Sequence, residues 1–71
     1  MSVETPQAQD VVRNVTVRLV NEFSTKLSSV AVGVIVRAAY RDLQEQVVPE
    51  ALGDMLHRLA HHRIARLVRV L

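Results

Sequence analysis

The stretch SSVAVGVIVRAAYRDL, Ser28–Leu43, decides the fold of this chain. Val30, Val32, Val34 and Val36 alternate as on a strand, and a strand here would make the chain α/β with a β-ribbon. The alternation fails beyond Val36, where Ala38, Ala39 and Tyr40 follow one another with no period of two. Helical spacing holds throughout: Val32, Ile35, Val36, Ala39, Tyr40 and Leu43 stand at i, i+3, i+4, i+7, i+8 and i+11. A helix is therefore predicted over 29–44, with Ser28 or Ser29 placed to cap it. Valine and isoleucine lower its intrinsic propensity, and Gly33 costs about 1 kcal/mol against alanine, so the helix depends on tertiary packing. Close contact with another helix would give the glycine a use.

Upstream, Met1–Thr5 reads as a frayed leader, and Thr5-Pro6 is a helix start, threonine as cap and proline at the first helical position. Ala8, Val12, Val15, Leu19 and Phe23 then form one face, which predicts a helix over 6–23. Val11, Val17 and Val20 fall beside that stripe and either widen it or stay exposed. The polar break at Ser24–Ser29 holds only one large apolar residue, Leu27.

Downstream, Gln44–Val48 is a second break, and Pro49 with Glu50 opens a third helix, proline first and an acid near the positive end of the dipole. Leu52, Leu56, Leu59, Ala60, Ile64, Leu67, Val68 and Leu71 form a broad stripe on a helix predicted over 49–69. Asp54 and Arg58 stand at i, i+4, acid before base. Gly53 is the weak point of this helix. The expected architecture is a single domain, residues 1–71: an all-α, up-down-up three-helix bundle.

Composition limits what such a bundle can do. A chain of 71 residues buries only part of its surface, and domains of this size lean on disulfides, metals or partners. It contains no cysteine, so disulfides are excluded. Apolar residues make up 49% of the chain, more than so small a core can hide, and self-association, most simply as a homodimer, is the expected outlet. No run reaches the roughly 18 apolar residues of a membrane span, and MSVETPQAQD lacks the basic flank and apolar core of a secretory signal. The expectation is a cytoplasmic, soluble protein. The net charge of +2 is mild, and Lys26 is the single lysine among the basic residues.

An amphipathic helix ending in EFS (Glu22–Ser24) is followed by VxxIVxxAYxxL (Val32–Leu43), VPxxL (Val48–Leu52) and RLAHHRIARL (Arg58–Leu67). Over about 11–67 this order resembles the small actinobacterial three-helix-bundle dimerisation domain, found alone or at the N-terminus of low-molecular-weight phosphatase-like arsenate reductases. The resemblance implies a homodimeric, non-catalytic module and a phosphatase-like or arsenate-reductase-like partner. In fused members catalysis belongs to the phosphatase domain, whose cysteine-bearing phosphate loop this sequence lacks, so nothing catalytic carries over.

Four sharper readings compete with bland ones. His57 and His61 have the i, i+4 spacing of a zinc-binding pair, with Asp54 one turn before them and His62 alongside. No further ligand is evident outside this helix and H-E-x-x-H is lacking, so solvated histidines are the simpler reading and no metal or other cofactor is expected. Arg58, His62, Arg66 and Arg69, with Arg63 added, form a basic stripe that suits phosphates, making a small DNA-binding regulator the alternative function. VTVRL (Val15–Leu19) is like the ribbon of ribbon-helix-helix repressors, but too few residues follow for that fold's next helix. The arginines also have a simpler explanation in the helix dipole and solubility. Surface binding to membranes by the last helix fits its amphipathic pattern, which is more often a bundle core. No Ser/His/Asp or Cys/His arrangement and no glycine-rich phosphate loop is present, so the chain is not expected to be an enzyme. The residues predicted to carry packing or pairing are Val36, Tyr40, Leu56, Leu59, Ile64 and Leu67.

Overall fold

The computed structural model describes residues 6–46 and 49–70, with side chains described for 9–46 and 50–70. The leader at Met1–Thr5, the Thr5 cap, Val48 and Leu71 lie outside the described residues, as do the side chains of Ala8 and Pro49. Three helices account for the architecture: α1 (Pro6–Glu22), α2 (Ser29–Leu43) and α3 (Pro49–Val70), each packed on the other two, with no strand among the described residues.

The valine-rich segment is helical because both its ends and its faces suit a helix. Ser28, in extended conformation, accepts a hydrogen bond on its hydroxyl from the Ala31 N–H at 3.1 Å, which satisfies one of the donors a helix start leaves open. Arg41 sits in the last turn, near the negative end of the dipole, and the Gln44 N–H donates to the Tyr40 carbonyl to close it. At 100° per residue, valines two apart fall on opposite sides of the cylinder. The alternation that mimics a strand thus becomes two stripes: Val32 and Val36 are fully buried, while Val30 is 72% and Val34 57% exposed.

α1 contributes Val15 and Leu19 to the core, with Val11, Val12, Val20 and Phe23 packed around them. Of the three off-stripe valines, Val11 and Val20 widen the buried face and Val17 stays outside. The Thr16 hydroxyl donates to the Val12 carbonyl at 2.7 Å, so its polar atom is satisfied within the helix. After Glu22 the chain turns on Phe23, whose carbonyl accepts from Lys26 and Leu27. Leu27 rejoins the core from this link.

α3 completes the core with Leu56, Ala60 and Ile64, all fully buried. Burying each side chain the size of leucine, isoleucine or valine contributes about 1.5–3 kcal/mol before ordering costs. Among the described residues no polar or charged residue is buried, so the core is held by apolar contact alone. A Cβ on Gly53 would stand 3.8 Å from the Val11 side chain, and Glu22 bonds to His61, so α1 and α3 run in the same direction. α2, joined to both by short links, runs back between them, which gives the up-down-up bundle.

Candidate interaction surfaces

The six residues predicted for packing or pairing fall into three environments. Val36, Leu56 and Ile64 are fully buried; Tyr40 and Leu59 are half-buried against them. Leu67, in the second-last turn of α3, is 38% exposed. The division follows from where α1 and α2 lie against each stripe, which a single sequence does not contain.

Three further apolar side chains stand open: Val17 on α1, and Met55 and Val70 on α3, the last 79% exposed. On α3, Leu52, Met55, Leu59 and Val70 lie within one sector by helical period, beside the core stripe rather than on it, and the exposed Arg66 shares that sector. That spacing was available in the sequence, but the broader core stripe masks it. Together with Val30 and Val34 on the outer side of α2, these residues are apolar surface that the monomer leaves uncovered.

The histidines are placed by contacts between helices. His61 Nε2 lies 2.7 Å from the Glu22 carboxylate oxygen, donating to it, and its ring packs on Phe23 with centroids 5.4 Å apart. The His57 and His61 rings stack at 6.0 Å. Asp54 instead pairs with Arg58 at 3.4 Å, both well exposed. Among the described residues no three His, Cys, Asp or Glu side chains gather as a metal would require. His61 is thus a tie between α1 and α3, a role that needs the fold to be seen.

Arg58, His62, Arg66 and Arg69 are exposed along the outward side of α3. Arg63 leaves that stripe: its guanidinium donates to Asp42 at 2.7 Å, joining α3 to the end of α2. Both interhelical ties are solvent-exposed to a third or more and contribute at most about 1 kcal/mol each.

A concavity of about 670 Å³ is an open groove between α1 and α2. Val12, Val17, the buried Gly33 and Tyr40 line it together with Arg13, Arg37 and Arg41. A Cβ on Gly33 would meet only the Arg37 guanidinium, at 3.5 Å, so the glycine serves no close helix contact within the bundle. No described helix is long and apolar enough to cross a membrane. No protein family, no curated protein and no solved structure matches this chain.

Proposed function

We propose that the chain is a non-catalytic interaction module that forms a homodimer with two-fold symmetry, accessory to a larger enzyme or regulator. The observation that carries this reading is the set of large apolar side chains outside a completed core: Met55, Leu67 and Val70 on α3, and Val30 and Val34 on α2. Exposed apolar side chains scattered singly are ordinary, but those gathered along one edge of a helix gain from being covered, and burying them stabilises an assembly at about 25 cal/mol per Å² before association costs. The α3 edge, with Leu59 at the margin of the core, is the principal surface, and the outer side of α2 flanks it. A standard interface takes about 800 Å² from each partner. The resemblance of the EFS, VxxIVxxAYxxL and RLAHHRIARL segments to the three-helix dimerisation domain points the same way, and makes a phosphatase-like or arsenate-reductase-like protein the companion to test.

Sedimentation velocity over a wide concentration range tests the reading. The wild type is expected to run at twice its 8.0 kDa mass, and the Met55→Asp/Val70→Asp double variant as a monomer of unchanged helicity. A wild type monomeric at every concentration overturns it. The second reading, a small DNA-binding regulator, is favoured by the outward row Arg58, His62, Arg66 and Arg69. It requires a salt-dependent mobility shift of generic duplex that is lost in the Arg66→Glu/Arg69→Glu variant.

A further inference from the structure

We propose that the groove between α1 and α2 is the docking seat for an acidic amphipathic helix of a partner protein. The inference rests on the reading of the chain as an interaction module, but not on its self-association. Its first support is charge. Arg13, Arg37 and Arg41 line the groove, no acid lines it among the described residues, and none of the three forms an ion pair with a described residue. The other arginines facing acids are already engaged: Arg58 with Asp54 and Arg63 with Asp42. Three unmatched guanidinium groups around one concavity complement carboxylates, with which they make two-pronged, charge-assisted bonds.

Shape gives the second support. On α2 the lining runs from Ser29 to Gln44, about 22 Å at 1.5 Å per residue, a length suited to four turns of helix rather than a small ligand. The apolar residues Val12 and Val17 supply contact area between the arginines. Arg37 and Arg41 stand one turn apart, so carboxylates at i, i+4 on a docked helix meet both. Gly33 supplies the third support. It weakens the middle of α2, yet nothing within the bundle needs it, since a Cβ would touch only the movable end of Arg37. Gly33 is buried with the Arg37 guanidinium over it, so a carboxylate that draws Arg37 outward would open this glycine to close approach from outside.

A second copy of this chain is a poor occupant. Joining two such grooves would set arginine against arginine, and the outward side of α3 is basic as well. Among the described acids, Glu22, Asp42 and Asp54 are committed to ties. Asp10, Glu45 and Glu50 are scattered over α1, the second link and the start of α3, and make no acidic face.

The test uses the full chain and two synthetic amphipathic peptides, one with glutamates at i, i+4 beside a leucine face, the other with lysine at each glutamate. Binding is read by fluorescence anisotropy at two salt concentrations. The acidic peptide is expected to bind, more weakly at high salt, and the basic one not to. Arg37→Glu/Arg41→Glu, two exposed positions, should lower affinity for the acidic peptide at least about tenfold and admit the basic one. Gly33→Ala, whose Cβ would meet only the movable end of Arg37, should lower affinity with no fall in melting temperature. No binding of the acidic peptide, equal binding of both peptides, or an unchanged affinity in the charge-reversed variant overturns the proposal. Sedimentation of the same samples keeps the outcomes apart: a wild type that binds the acidic peptide as a monomer sinks the homodimer and leaves the groove standing.

Discussion

Ser28 fixes where α2 begins, through one hydroxyl bonded to one backbone N–H. Replacing a serine cap with alanine costs about 1 kcal/mol, and in a domain of this size that is about 4–8 °C. Ser28→Ala is therefore expected to lower the melting temperature by that amount, whereas Ser29→Ala, inside the helix, should leave it unchanged or raise it; equal effects would mean that the cap is not where α2 places it. Gly53 has the opposite sign. Alanine gains about 1 kcal/mol of helix propensity over glycine, and the added methyl would find the Val11 side chain at an ordinary contact distance of 3.8 Å. Gly53→Ala should raise the midpoint of thermal unfolding by several degrees, and a fall would show that α1 and α3 approach more closely there than the structure has them. His57 and His61 complete the residue scale. With His61 held by Glu22 and Asp54 held by Arg58, the zinc pair suggested by spacing finds no further ligands among the described residues, so added zinc should not shift the melt. A rise of several degrees at equimolar zinc would reopen the metal reading.

At the scale of the element, α2 shows what kind of information a sequence carries. The helical template places Val32, Val36 and Ala39 on one face and they are buried together; the strand-like alternation is the same residues viewed without the 100° turn between them. Periodicity and capping chemistry are local, so the existence and class of all three helices were legible. Contacts between Glu22 and His61, 39 residues apart, or Asp42 and Arg63, 21 apart, depend on how the helices are set against one another, and no local pattern encodes them. The same holds for Gly33: its cost was legible, but its position on an open groove rather than in a helix contact was not. α2 has only 15 residues, five of them β-branched, near the length at which isolated helices are marginal in water. A peptide spanning 28–44 should accordingly show a disordered far-ultraviolet spectrum. Substantial helicity in that peptide would mean that α2 owes less to Leu19, Leu56 and Ile64 than their burial against it implies.

For the whole molecule, the core is complete but small. Eight buried apolar residues from three helices, with no buried polar residue and no disulfide among the described residues, hold the bundle, and domains of this length retain only a few kcal/mol of net stability. Leu56 lies at its centre, and Leu56→Ala, costing about 2–5 kcal/mol, consumes most of that margin and is expected to leave the monomer largely unfolded at room temperature. Association changes this balance by mass action, because a partner that binds only the folded chain raises its apparent stability with concentration. If Met55, Leu67 and Val70 are covered by a second copy, the wild-type melting temperature should climb over a hundredfold increase in protein concentration. Met55→Asp/Val70→Asp should melt at one temperature throughout, near the wild-type value in dilute solution, because both positions lie outside the core and their replacement removes the association without opening a cavity. Identical, concentration-independent melts for the two proteins would mean that the apolar edge of α3 contributes nothing between copies. A concentration dependence that survives the double variant would instead transfer the contact to Val30 and Val34 on the outer side of α2, where Val34→Asp becomes the deciding substitution.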